Sequence, residues 1–262
     1  FGGQYVPPAD EDMATRVDNV KWLRRLGPDD ARAAGWVSDI PPEVHAGYIR
    51  LNVEQSLTPE ARSAHVVFTP LHGTGNTTVA QVLAEAGFRV DLVAEQSILD
   101  GRFPAVPFQV PNPEVPESMQ AGIDQAEELG ADLVMACDPD ADRIGICARS
   151  ASGCFVFLNG NEIAVLVAHH KLYQLKRMDR LPARPLVIKT EVTTELLGPI
   201  TAAFGGQLIG DLLVGFKYHS NILEQFEHGR AWHGISAGLQ DFVVGVEESH
   251  GVLTTTQVRD KD

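Results

Sequence analysis

Short apolar runs alternate along this chain with stretches in which apolar residues recur every three or four positions. HVVFT (65–69) reads as a buried strand. After it, Val79, Val82, Leu83 and Ala86 share one side of a helix over 76–86, Gly87 stops that helix, and FRVDLV begins the next strand. A proline-rich loop, FPAVPFQVPNPEVPE, leads to a second helix in SMQAGIDQAEELG. ADLVMAC is then a strand entering an acidic loop, and IGICARS a strand leaving it. The cycle begins again with a helix over 161–178, a strand in PLVIKT, a helix in VTTELLGPITAAFG and extended chain in GQLIGDLL. NILEQFEHG is the last helix, and DFVVGVEESHGVLTT is strand, polar turn, strand. This pattern predicts an α/β protein with two consecutive three-layer α-β-α domains and mixed sheets, at 45–157 and 158–262. Before them, 9–26 is acidic at the front and basic at the back, which suits a helix dipole, with Val17, Val20 and Leu23 on its apolar side. GPDD is expected to end that helix, and 31–47, broken by IPPE, to be an irregular linker. Residues 1–44 are therefore expected to be the remnant of a preceding domain plus a helical linker. The opening FGGQYVPP and the charged close VRDKD both suggest a piece of a longer chain.

Charge narrows the partners. The formal net charge is −14, which argues against nucleic acid or an anionic membrane, because phosphate backbones require clustered Lys and Arg. A small phosphorylated substrate needs only one or two local cations, so it remains open. No run of about 18 apolar residues is present to span a bilayer, and no leader-like segment opens the chain. The three cysteines, Cys137, Cys147 and Cys154, lack metal-ligand spacing and are expected as reduced thiols of a cytoplasmic protein.

Four motifs carry candidate chemistry. In CDPDADRIGI, Asp138, Asp140 and Asp142 alternate and Arg143 follows. Three carboxylates converging in one loop repel one another unless a cation neutralises them, and hard oxygen ligands suit Mg²⁺. A solvated aspartate-rich turn is the plainer reading. An EF-hand fails, because its sixth and twelfth positions would hold Arg143 and Arg149. A haloacid-dehalogenase-type phosphatase with Asp138 as nucleophile fits DPDA, but its pattern wants Thr or Val where Asp142 stands. TPLHGTGN (69–76) is either a tight strand-to-helix turn or an anion loop, and His72 goes with whichever holds. GVEESHG (245–251) offers Glu247, Glu248, Ser249 and His250, a mixture of donors and acceptors suited to sugar hydroxyls or to an ordinary hairpin turn. In VGFKYHS, Lys217 follows a glycine in an otherwise extended stretch and could meet a phosphate.

Taken in order, TPLHGTG, PNPE, DPDADR, GNEI, VIKT, VGFKY, EESHG and RDKD resemble the signature of the α-D-phosphohexomutases, the family of phosphoglucomutases and phosphomannomutases. The resemblance runs from about residue 48 onward, and GGQYVPP looks like the end of that family's first domain. It implies a four-domain enzyme with a central cleft, of which this chain would hold the end of domain one and domains two and three. In such an enzyme a phosphoserine phosphorylates a hexose monophosphate, the bisphosphate turns around, and the other phosphate returns to the serine. The resemblance assigns Mg²⁺ to Asp138, Asp140 and Asp142, and places Arg143 beside the phosphoserine. It assigns sugar hydroxyls to Glu247 and Ser249, with His250 in the same loop, and a phosphate contact or proton-transfer role to Lys217. It implies a small-molecule sugar phosphate as partner and a glucose 1,6-bisphosphate-type intermediate or activator. No phosphoserine loop and no Arg- and Ser-rich phosphate loop is found in the chain, so no mutase turnover is expected from it alone. A non-catalytic sugar-phosphate binding protein is the remaining alternative. The departures are on the sugar side: GDLL stands where many relatives have a threonine-containing turn, 227–240 is a long connection, and His250 replaces a common glycine.

Overall fold

The computed structural model describes residues 2–261. It opens with three helices, α1 (Ala9–Asp18), α2 (Pro28–Ala33) and α3 (Pro42–Val53). This corrects the expectation for the first segment. The helix stops at Asp18, because Val17, Val20 and Leu23 are exposed and a stripe with nothing to pack on does not sustain a long helix. GPDD and IPPE, expected as stops, are starts: Pro28 and Pro42 occupy the first turns of α2 and α3, where the missing N–H is no loss.

The first sheet is built from β1 (His65–Thr69), β2 (Arg89–Leu92), β3 (Leu133–Cys137), β4 (Ile144–Arg149) and β5 (Phe155–Leu158), in the order β2-β1-β3-β4-β5. β1 is parallel to β2 and β3, and the β3–β4 and β4–β5 pairs are antiparallel. Helices α4 (Val79–Glu85) and α5 (Gln120–Leu129) cover opposite faces. Strand alternation sorts the core accordingly: Val67 joins the cluster of Met119, Ala126 and Val134, while Phe68 joins that of Val79 and Leu83.

The second sheet follows α6 (Gly160–Arg177), whose Asn159 and Glu162 form a reciprocal capping box. Its strands are β6 (Leu186–Thr190), β7 (Gln207–Leu212), β8 (Phe242–Val246) and β9 (Val252–Leu253), in the order β7-β6-β8-β9. β6 is parallel to β7 and β8, and β8–β9 is an antiparallel hairpin. α7 (Leu197–Ala203) and α6 lie on the face of Val187 and Val244, and α8 (Lys217–Glu227) on the face of Ile188 and Phe242. α8 starts four residues earlier than NILEQFEHG suggested, so Lys217 opens a helix rather than sitting in extended chain. Both domains are three-layer α/β/α units with mixed sheets. In each, the parallel strands aim their carboxyl ends at one rim, the usual place for a site in such sheets.

Candidate active site

At the first rim, the loop between β3 and β4 holds Asp138, Asp140 and Asp142 with one carboxylate oxygen from each lying within 4.8 Å of the others. The three are graded in exposure: Asp138 is 1% exposed, Asp142 is half-buried and Asp140 is open. Asp138 is the keystone. Its Oδ1 accepts the backbone N–H of Asp142 and of Arg143, both at 3.1 Å, and its Oδ2 accepts Arg143 Nε at 2.7 Å. Ala141 makes that wrap possible by adopting a left-handed φ of 61°. Arg143 is anchored from behind by Glu114 at 3.0 Å and Asn112 at 3.3 Å, the acceptors of the PNPE segment. Burial works against the Arg143 charge, but Asp138 and then Glu114 more than offset it and raise its pKa.

TPLHGTGN resolves as the tight turn, and it supports the acidic loop. A Cβ on Gly73 would sit 2.2 Å from the Pro139 Cα, and the Thr74 N–H donates to the Pro139 carbonyl at 2.8 Å. His72 is buried, donating through Nδ1 to the Ile98 carbonyl at 2.7 Å and accepting the Ala105 N–H at Nε2. It pins the proline-rich loop.

At the second rim, the hairpin turn between β8 and β9 presents Glu247, Glu248, Ser249 and His250. Glu248 Oε2 accepts hydroxyl bonds from Thr190 at 2.9 Å and Thr193 at 3.0 Å, at the end of β6. Beneath that pair lies Lys189, fully buried, whose Nζ donates to the Thr193 carbonyl at 3.0 Å, the Thr190 carbonyl at 3.2 Å and Glu195 at 2.9 Å. His219 supports the strand before the turn by donating to the Val246 carbonyl at 3.1 Å. Burial pushes its pKa down from 6.5 to about 4, so it is neutral.

The two rims meet. Ile144, the first residue after the acidic loop, donates its N–H to the His250 carbonyl at 3.1 Å and accepts His250 Nδ1–H at 2.8 Å. His250 is buried and has a φ of 69°, which explains why a glycine is at ease at this position and what the imidazole gains instead: a bond across the domain seam. Its ring is therefore committed to the seam, while Ser249 beside it is half-buried. Gly160 brings the start of α6 so close that a Cβ would lie 1.8 Å from the Glu248 carbonyl oxygen. Lys261 completes the junction, 2.5 Å from Glu247 Oε1 and 3.3 Å from Asp142 Oδ2. Burial opposes the Lys261 charge, but Glu247 and then Asp142 raise its pKa. Lys217 is paired elsewhere: its Nζ lies 2.8 Å from Asp10 in the first turn of α1, which lowers the Asp10 pKa and raises that of Lys217.

The sequence reading missed Lys261, Lys189, Thr190 and the Asn112–Glu114 pair as site residues. They stand in VIKT, PNPE and RDKD, so the signal was the ordered motif set and not any local spacing.

Residues 46–152 match the profile of phosphoglucomutase/phosphomannomutase α/β/α domain II, and residues 159–262 that of domain III. The chain belongs to this family, the α-D-phosphohexomutases. A phosphoglucomutase of Staphylococcus saprophyticus is 30% identical over 265 aligned residues, covering 100% of this chain and 46% of that relative. The chain thus spans less than half the length of this phosphohexomutase relative. A solved phosphomannomutase-type structure from Thermus thermophilus superposes with a TM-score of 0.60 at 23% identity, covering 84% of this chain and 44% of that one. An Aspergillus fumigatus N-acetylphosphoglucosamine mutase, solved with GlcNAc-6P and magnesium, gives a TM-score of 0.50 at 14% identity, covering 80% and 40%. At these identities the two structures speak for the fold.

Proposed function

We propose that this chain carries the cation-binding and sugar-binding loops of a phosphohexomutase that interconverts hexose 1-phosphate and hexose 6-phosphate through a phosphoserine and a bisphosphate intermediate. Glucose phosphates are the preferred hexose in this reading, in line with the phosphoglucomutase relative. The observation that carries it is the junction of the two rims: Lys261 touches Asp142 of one loop and Glu247 of the other.

The donor set fits a hard divalent cation. Three carboxylates gathered within 4.8 Å, with no nitrogen or sulfur ligand among them, suit Mg²⁺ or Mn²⁺. When bound, Mg²⁺ would neutralise phosphoryl oxygens during transfer. Asp138, Asp140 and Asp142 would hold it. Arg143, fixed by Asp138 and Glu114, would orient a phosphoryl group beside the loop. Glu247 and Ser249 would take sugar hydroxyls, with Glu248 holding the loop in shape and His250 joining it to the acidic loop. Lys261, between Asp142 and Glu247, would contact a phosphate or reacting oxygen, and Lys217 would meet the substrate phosphate once released from Asp10. The phosphorylated serine and the remaining phosphate contacts would come from outside these 262 residues, so the chain alone is expected to bind and not to turn over.

The phosphatase alternative asks Asp138 to attack phosphorus. Its carboxylate is buried and both its oxygens accept hydrogen bonds, which disfavours a nucleophile. No helix among the described residues is long and apolar enough to cross a membrane, and a reducing cytoplasmic setting goes with Cys137, Cys147 and Cys154 as thiols outside any disulfide.

Calorimetric titration with Mn²⁺ tests the reading, using wild type and Asp140→Asn in the presence and absence of glucose 1,6-bisphosphate. One site is expected, weakened at least tenfold by the substitution. Absence of a site even with the bisphosphate would sink the cation assignment. Aspartyl-phosphate trapping at Asp138 would favour the phosphatase.

A further inference from the structure

A groove of about 540 Å³ runs along the seam between the two domains, and none of the acidic-loop or sugar-loop residues lines it. One wall comes from the first domain, with Val82, Leu83 and Phe88, and the other from α6, with Leu166. Among the described residues, three basic side chains line it, Arg62, His170 and Lys171, and no carboxylate does. In a chain of net charge −14 this is an unusual local balance.

The cations are held by neutral groups. Lys171 Nζ donates to the Thr254 carbonyl. Burial pushes its pKa down to about 8, so its charge is poorly compensated where it lies. Arg62 donates from Nε to the Ala86 carbonyl, from Nη1 to the Thr58 and Ala61 carbonyls and from Nη2 to the Ser56 hydroxyl, and stacks over Phe88 with 4.7 Å to the ring centroid. Its N–H groups are largely spent, yet its positive charge still faces the groove. Two part-desolvated cations beside an apolar wall match an anion with an apolar body. With Arg62 unable to offer a free fork, a single-charge head group fits better than a phosphate dianion.

We propose that this groove is a binding site for a small organic carboxylate, its head group between Lys171 and Arg62 and its apolar part against Val82, Leu83, Phe88 and Leu166. The site is separate from the mutase reading and does not depend on it. Its ligand would touch both domains at once.

The test is an NMR titration of the 262-residue chain with sodium hexanoate, with 1-hexanol as the neutral control. Saturable shifts are expected at Leu166, Phe88 and Lys171, with Kd on the order of 1 mM or tighter. Lys171→Met should weaken binding about tenfold or more, and Lys171→Arg should retain most of it. Leu166→Glu, at an exposed wall position, should also repel the anion. The proposal is overturned if hexanoate gives no saturable shift at these residues up to about 20 mM. It is equally overturned if hexanol binds as well, or if neither Lys171→Met nor Leu166→Glu changes the affinity.

Discussion

Asp138 and Glu248 are the two carboxylates that shape the loops at the rim, and they are held in opposite ways. Asp138 is gripped by its own loop, through the N–H groups of Asp142 and Arg143 and the Arg143 guanidinium. Glu248 is gripped from elsewhere, by Thr190 and Thr193 across the sheet, with Lys189 beneath them. The acidic loop is thus built mainly within its own domain, braced by the Gly73 turn and by Asn112 and Glu114, while the β8–β9 turn depends on strands, a helix start and the neighbouring domain. Perturbations of the second domain should therefore distort the β8–β9 turn first and reach the acidic loop only through Lys261 and the Ile144–His250 bonds.

The sharpest way to break this contrast is Gly160→Ala. Its Cβ would land 1.8 Å from the Glu248 carbonyl oxygen, a backbone contact that cannot rotate away. A loss of about 3 kcal/mol or more is expected in urea unfolding. Amide shifts should change over 247–251, and Mn²⁺ affinity should stay within a few-fold. Melting of the acidic loop as well would show that the two loops are one construction.

Acid should act on the same side. His219 is neutral in the folded chain with a pKa of about 4, against 6.5 ordinarily. Between those values the unfolded chain binds the extra proton, so stability falls as pH drops from 6.5 toward 4. The full effect is about 3 kcal/mol. Denaturation midpoints across that range should show the slope, and His219→Gln should flatten it. An unchanged slope in the variant would assign the acid sensitivity to other groups.

Lys189→Met removes the buried ammonium and leaves the Thr190 and Thr193 carbonyls without it, at a cost of about 2 kcal/mol. Thermal denaturation measures this, and Thr190 and Glu248 resonances should move together. The smallest effect belongs to the acidic loop itself. Ala141→Gly relieves the left-handed strain but loosens the unfolded chain, so a net change under about 1 kcal/mol is expected.

The same contrast explains what could be read from the sequence. Asp138, Asp140 and Asp142 announce themselves because they stand on alternate positions of one short loop. Thr190 and Glu248 lie 58 positions apart along the chain and become neighbours only through β6–β8 pairing. Lys261 reaches Asp142 and Glu247 only because the chain returns to the rim after β9. Apolar periodicity located the strands well where both faces are buried, as in HVVFT and LVIKT. It failed at 19–26, where an amphipathic pattern meets no partner surface among the described residues. It also missed β5, an edge strand whose Val156 faces out, and took Pro28 and Pro42 for breaks because a proline says only where a helix cannot continue, not whether one begins.

With Asp138 tied on both oxygens, the acidic loop has already surrendered most of its backbone freedom. Of the three carboxylates, those of the exposed Asp140 and half-buried Asp142 are the ones left to adjust if the proposed cation binds. Arg143 lies 3.6 Å and Lys261 3.3 Å from Asp142, so a cation held there as proposed would have to compete with those contacts rather than order the loop.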